Sequence, residues 1–373
     1  MEGKRAINSI GLRNVLSFGS KGQRVELQPL NVLIGPNASG KSNFIEVFRL
    51  LQALPGKPER IIREGGGITE WLWKGDEAIP KAWLGIDTEL IAYSLEFTKA
   101  GYRWQIVDEY IGEPIDPDNP PFDQPNFRSS IESEPWGFDG EFPSDISLLA
   151  IMNNHQPEGA LAKLFSSIGV YKDWNNSRFS LLKSPHRPDM PSTPLLEDLS
   201  NFSLVFNNLS YRTKSAIIEQ LNQVCEGVEE IITQIEGGTV QTYFQEKGLS
   251  SATPLARVSD GTLRYLFMLT LLNQKELPPL ICLEEPETGL HPDVIHSVAQ
   301  LLVEASQRTQ LIVTTHSSSL VSALSDIPES VIVCERESSS TILRRLDRES
   351  LEGWLERYEL GELWEKGVIG GTR

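Results

Sequence analysis

Cysteine is scarce in this 373-residue chain: Cys225, Cys282 and Cys334 stand far apart, and no CxxC pair occurs. That excludes a disulfide framework and a zinc knuckle built on cysteines. Cys282 and Cys334 fall inside the apolar runs LICLEE and VIVCE, where a thiol reads as a small buried hydrophobe. No apolar run approaches the roughly 18 residues that cross a bilayer, and nothing apolar follows Lys4 and Arg5 to make a signal peptide. The expectation is a chain without membrane contact, with the cytoplasm as its default compartment. Positive charge is also short. Thirty-four Lys and Arg against fifty-one Asp and Glu leave a net charge of −17. Such a surface repels a polyanion on average, which counts against broad DNA binding but leaves room for a local basic patch. Heptad runs and internal repeats are missing as well.

What is present is ordinary globular material, 39 % hydrophobic and 23 % charged, enough for one large or two average domains. AINSIGLRNVLSF and RVELQP are β-rich runs separated by Gly19, Ser20 and Gly22, the pattern of an antiparallel pair. LNVLIG is a continuous apolar run ending at Gly35, as expected of a fully buried strand. Phe44, Ile45, Phe48, Leu51 and Leu54 then recur at helical spacing until Pro55 and Gly56. Residues 82–111 predict further strands, with a turn at Lys99–Gly101. The prolines at 114, 117, 120, 121 and 125, and again at 185, 188, 191 and 194, break both helix and strand. With helix candidates near 145–168 and 195–225, residues 112–225 read as a mostly helical insertion. Beyond it come strands over 229–248, a helix over GTLRYLFMLTLLNQ, the buried strand LICLEE, a helix over HPDVIHSVAQLLVEAS, and the buried strand QLIVTTH. VIVCER and STILRRL complete the sheet. Strand–helix alternation predicts a mainly parallel sheet. The fold class is therefore α/β, a parallel core with an N-terminal antiparallel portion and an inserted segment. The divisions fall at 1–111, 112–225 and 226–373.

Gly35, Pro36, Asn37, Ala38, Ser39, Gly40, Lys41 and Ser42 match G-x-x-x-x-G-K-[ST], between a strand and a helix. Glycines let such a loop curl so that its amides face phosphate oxygens, and the following helix start adds its positive dipole end. In this pattern Lys41 reaches the β- and γ-phosphates and Ser42 offers a hydroxyl to Mg²⁺. Chance produces about one such match per hundred chains of this length. The strand 280–283 delivers Glu284 and Glu285 to its end. On a surface such a pair is unremarkable. Beside a phosphate loop, Glu284 is the candidate for the Mg²⁺ shell and Glu285 for orienting and deprotonating the attacking water. His316 closes a buried strand expected beside that one, within reach of a γ-phosphate. Ser259 caps the helix that follows, with Gly261 just inside it, an end that is a plain cap or an anion site.

The ordered series GPNASGKSN, SDGTLR, ICLEEPETGLHP and LIVTTH resembles the nucleotide-binding head of the ABC superfamily. It is similar above all to the RecF, SMC and OLD branch and its stand-alone RecF-like ATPases, often labelled AAA-type. The resemblance covers about 1–111 and 226–373, and it implies a P-loop NTPase that uses ATP and Mg²⁺. It puts Ser259 and Gly261 in the signature loop and Glu287 to His291 in the D-loop. In such heads one subunit's P-loop and the partner's signature loop enclose each ATP, so two nucleotides join an ATP-dependent homodimer about a twofold axis. Glu284 stands where many relatives have Asp, and SDGT replaces a glycine-rich signature. Lys41 and Glu284 are 243 residues apart, which fits a head split by an insertion. No Q-loop glutamine is assigned; Gln105 is the nearest candidate. OLD-type nucleases carry a Toprim domain after the histidine, whereas the 57 residues after His316 lack a DxD. Built-in nuclease activity is not expected.

The resemblance implies an ATP-driven dimer switch in DNA maintenance or anti-phage defence, acting through a separate effector protein. The alternative is a slow or non-hydrolysing module that gates a partner nuclease or toxin. A transporter subunit fits the SDGT loop, the long insertion and the acidic surface poorly. A GTPase would need an NKxD motif, which is missing.

Overall fold

The computed structural model describes residues 3–75, 80–112, 144–151, 158–172 and 183–370. The proline-rich run beginning at Pro114 lies outside the described residues. Among the described residues three sheets carry the fold. The central one runs β14(Ser340–Arg345)–β13(Val331–Glu337)–β3(Leu30–Ile34)–β12(Gln310–Thr314)–β11(Leu280–Glu284)–β7(Gly169–Tyr171). It is parallel from β13 to β7, and β14 turns back antiparallel at its edge. An antiparallel sheet of β2(Gln23–Glu26), β1(Ser9–Arg13), β4(Ala82–Asp87), β5(Ala92–Ala100) and β6(Arg103–Gly112) forms the N-terminal layer, in that order. A smaller one joins β10(Thr253–Pro254), β9(Thr239–Glu246) and β8(Val228–Glu236).

The period-two rule sorts each central strand between two cores. Leu30, Val32 and Ile34 of β3 face one core, with Ile281 and Leu283 of β11 and Leu311 and Val313 of β12. That core lies under the Asp260–Leu272 and Ile295–Ser306 helices. Leu33, Cys282, Ile312 and Cys334 face the other, shared with the Lys41–Ala53 helix and the N-terminal sheet. Both faces of the strands are thus apolar, which is why they read as unbroken hydrophobic runs. Cys282 and Cys334 are fully buried and unpaired.

Within 112–225 the described residues form helices at Leu148–Ile151, Glu158–Ser166, Phe202–Asn208 and Tyr211–Leu221. They also form β7, which the sequence reading did not anticipate. It is only three residues long, yet it pairs with β11 through Ile281, Cys282 and Leu283. The central sheet therefore takes its last strand from this segment. Gln105 lies on β6, paired with Thr98 in the N-terminal sheet, and is not among the residues around the phosphate loop.

Candidate nucleotide site

In an open parallel sheet, ligands bind beyond the carboxyl ends of the strands. Here β3, β11 and β12 lead into Gly35, Glu285 and Thr315–His316, so the topology gathers three separate sequence motifs on one edge. They share a cavity of about 620 Å³ whose lining includes Asn37, Lys41, Ser42, Glu285 and His316.

The loop between β3 and the Lys41–Ala53 helix needs its glycines. Gly35 has φ of 147° and a Cβ there would stand 2.2 Å from the Cys334 carbonyl. Gly40 has φ of 107° and its Cβ would meet Thr341 Oγ1 at 2.2 Å. Ala38 is also left-handed, and Asn37 and Ala38 are exposed at the tip between Pro36 and the buried Ser39. Lys41 is 5 % exposed, and its Nζ donates to the carbonyls of Gly35 (2.8 Å) and Pro36 (2.9 Å). Burial lowers its pKa, while Cys334, Glu285, Glu284 and Glu287 pull it back up. Ser42 is exposed in the first turn of the helix.

Glu285 adopts a left-handed backbone at φ 45°, with its N–H donating to the Thr314 carbonyl (2.9 Å) and to Thr314 Oγ1 (3.2 Å). Its Oε1 lies 3.4 Å from His316 Nε2, and its Oε2 accepts Thr288 Oγ1 at 3.2 Å. Strained backbone of this kind persists where surrounding bonds overdetermine it, and it collects at functional sites. Burial, then the nearby Lys41, lowers the His316 pKa from 6.5, with Glu285 opposing. Burial and Lys41 both favour the neutral ring. Glu284 is half-buried one residue earlier.

Two supporting residues escaped the sequence reading. Glu287 was seen only as part of a loop, yet it turns inward. Its Oε1 accepts Thr315 Oγ1 (2.6 Å) and the His316 N–H (2.9 Å). Its Oε2 is buried without a hydrogen-bond partner among the described residues, and burial pushes its pKa up. Thr341 of β14 donates through Oγ1 to the Ser39 carbonyl (2.8 Å) and stands 2.7 Å from Ser17 Oγ. No local pattern announces either contact.

Ser259 and Gly261 do not line this cavity. Ser259 caps the Asp260–Leu272 helix, its Oγ accepting the Thr262 N–H, and it is exposed. Gly261 is pressed against the loop after β11: a Cβ there would lie 2.7 Å from the Gly289 carbonyl. Among the described residues no group of three or more His, Cys, Asp or Glu forms a metal cage. Mg²⁺ needs only one or two protein oxygens together with substrate phosphates, and the exposed Ser42 hydroxyl and half-buried Glu284 carboxylate are oxygens of that kind.

A parallel sheet with a glycine-cradled lysine on one strand end, and paired carboxylate and imidazole on its neighbours, defines a P-loop ATPase head of the ABC, SMC and OLD type. Residues 30–90 and 112–322 match the family described as "AAA domain, putative AbiEii toxin, Type IV TA system", and the chain belongs to that family. The Old nuclease of Escherichia phage P2 is 24 % identical over 378 residues, covering 87 % of this chain. The chain spans 59 % of that nuclease's length. Among solved structures, an SMC head bound to the C-terminal winged-helix domain of ScpA superposes with a TM-score of 0.58 at 15 % identity. That match covers 93 % of this chain and 99 % of the other. An SMC head with an extended coiled coil, bound to the C-terminal domain of ScpA derived from Pyrococcus furiosus, gives 0.54 at 16 % identity, covering 94 % and 98 %. At that identity the shared property is the fold. No helix among the described residues is long and apolar enough to cross a membrane.

Proposed function

We propose that the chain binds ATP with Mg²⁺ and hydrolyses it at composite sites of a homodimer, as a switch for a separate effector. The observation that carries this reading is the convergence of Lys41, Ser42, Glu285 and His316 on one cavity, with Glu285 and His316 3.4 Å apart. Lys41 holds the β- and γ-phosphates, exchanging the carbonyls of Gly35 and Pro36 for phosphate oxygens. The amides from Gly35 to Ser42 line the rest of the phosphate chain. Ser42 and Glu284 would hold Mg²⁺, which would supply positive charge beside the phosphates when bound. Glu285 orients the attacking water and accepts its proton, and neutral His316 donates to a γ-phosphate oxygen.

The exposed end of the Asp260–Leu272 helix supports the dimer. Its first N–H groups and its dipole favour an anion, and Ser259 and Gly261 stand outside their own chain's cavity. A second copy presenting its P-loop meets that need, with the contact repeated about a twofold axis. Family membership and likeness to the phage nuclease support a role in DNA maintenance or anti-phage defence, with DNA reached directly or through the effector. The test is ATP turnover and mass in solution for wild type and Glu285→Gln. The expected result is a kcat lowered roughly 10²- to 10⁴-fold and a dimer that persists with ATP. A variant that stays monomeric with ATP overturns the composite site. Tight ATP binding without turnover in the wild type replaces hydrolysis with a gating role.

A further inference from the structure

The helix end that a composite site turns toward a second copy's phosphate carries an acid. Asp260 is its first residue, between the exposed Ser259 cap and Gly261. A carboxylate in a first helical turn satisfies the positive dipole end from within its own chain, and it repels a second anion brought to the same place. Two tendencies therefore oppose each other here. The first N–H groups of the helix attract a phosphate, and the Asp260 charge turns it away.

Segment 112–225 supplies a cation at this point. Lys183 Nζ stands 2.7 Å from Asp260 Oδ1, with the two side chains 29 % and 42 % exposed. A buried anchor three residues on fixes the lysine's place. His186 is 4 % exposed; its N–H donates to the Val240 carbonyl and its carbonyl accepts the Val240 N–H, both at 2.8 Å. Its Nδ1 lies 2.9 Å from Ser203 Oγ. Val240 of β9 pairs with Ile235 of β8 on its other side, so the His186 bridge lies on the edge of β9 that β10 also uses. From β10 the chain runs through the Leu255–Arg257 turn to Ser259. One strand thus aligns Lys183 with the helix end. Arg264, one turn further along the helix, also feels the Asp260 carboxylate, but from a buried position. A half-exposed ion pair adds little to the stability of a monomer. Once a second copy closes over it and water leaves, the same charges act in a lower dielectric and count for more.

We propose that Lys183 is a positioning residue for the ATP-dependent dimer, neutralising Asp260 so that the end of the Asp260–Leu272 helix accepts the phosphate held by a second copy. The lysine acts through Asp260 and not on the nucleotide. This rests on the reading of Ser259 and Gly261 as the second copy's half of a composite site, and it gives segment 112–225 a part in the switch.

The experiment is sedimentation with Mg-ATP on the full chain carrying Glu285→Gln, alone and combined with Lys183→Ala, Lys183→Arg, or Lys183→Ala together with Asp260→Asn. ATP binding is measured separately at concentrations where the chain is monomeric. An uncompensated charge at a helix end weakens anion binding up to about fivefold. Two such sites close each dimer, so Lys183→Ala is expected to raise the dimer Kd by as much as roughly 25-fold. ATP binding by the monomer is expected to stay as in the parent. Lys183→Arg keeps the charge and is expected to hold the dimer within a few-fold of the parent. Asp260→Asn removes the acid that needs compensating, and is expected to return the Lys183→Ala chain to the same range. A Lys183→Ala chain that dimerises like the parent overturns the proposal. So does a failure of Asp260→Asn to rescue it, because the lysine then acts on something other than Asp260. A matching loss of ATP binding in the monomer overturns it as well, since that reports a damaged head. If the Glu285→Gln parent itself forms no dimer with ATP, the composite site fails, and the role of Lys183 falls with it.

Discussion

Glu287 and His316 are joined side chain to backbone. Glu287 Oε1 accepts the His316 N–H at 2.9 Å while also accepting Thr315 Oγ1 at 2.6 Å. The carboxylate touches none of the cavity but fixes the peptide that carries the histidine, which makes it a positioning residue. Glu287→Ala strands a buried hydroxyl and a backbone N–H, and it is expected to lower kcat at least tenfold with ATP affinity retained. Glu287→Gln keeps the acceptor oxygen and is expected to preserve most of kcat. Its new amide nitrogen takes the place of the unpartnered Oε2 and costs about 1–3 kcal/mol. Equal kcat losses in the two variants would argue against positioning.

The same residue carries a pH signature. Burial raises the Glu287 pKa above its ordinary 4.5, so the folded chain takes up the proton before the unfolded one does. Its contribution to stability is then complete below the ordinary value and is lost as pH rises through the raised one. Urea midpoints for wild type and Glu287→Gln are expected to diverge toward acid, with the wild type gaining relative to the variant. A difference that is constant from pH 4 to 8 contradicts this.

His316 shifts the other way. Its pKa is lowered, by burial first and by Lys41 second, so folding disfavours its proton. It costs no stability above 6.5, and the cost grows as pH falls through 6.5 toward the lowered value. In turnover, an acid limb belonging to His316 is expected on the acid side of its ordinary range. His316→Gln is expected to lower kcat about 10²-fold, as removal of a transition-state donor does, and to erase that limb. A pH–rate profile that keeps the same limb in the variant reassigns it to another group.

Thr341 links the C-terminal hairpin to the phosphate loop across 302 residues, donating to the Ser39 carbonyl at 2.8 Å. Thr341→Val keeps the volume and leaves that carbonyl and Ser17 Oγ short of a partner, at about 1–3 kcal/mol. Loss of urea stability together with weaker ATP binding is expected, and Thr341→Ser is expected to restore both. If Thr341→Val loses stability while ATP binds as before, the hairpin does not shape the loop.

What the sequence disclosed and what it hid follow from range. The P-loop was legible because Gly35, Gly40 and Lys41 serve one local turn, and β3, β11 and β12 because burial on two faces leaves continuous apolar runs. Gly169–Tyr171 was not, since three residues carry no period and its place depends on pairing with Ile281 to Leu283, more than a hundred positions on. Thr341 and Glu287 were hidden for a related reason. A threonine in a strand and a glutamate in a loop look polar and exposed until the chain folds a carbonyl or an N–H against them. Gln105 could not be assigned for the same reason, because a glutamine in a strand says nothing about which sheet that strand joins.

The cysteines offer a check on the layered core itself. Cys334 sits on β13 with its carbonyl against Gly35, and burial pushes its thiol pKa up to about 12, with Lys41 pulling the other way. Burial, then Glu197, raises the Cys282 thiol on β11 well above its ordinary value, and burial, then Glu246, raises that of half-buried Cys225. The thiolate is the reactive form, so a raised pKa and lost access act together. Ellman titration of the native chain at pH 8 is expected to find one slowly reacting thiol, Cys225, and three in denaturant. Reaction of Cys282 or Cys334 should follow only local or global opening. Two fast thiols in the folded protein would mean that β11 or β13 is not covered on both faces. The three-layer arrangement that brings Glu285 and His316 to the edge beside Lys41 would then be wrong.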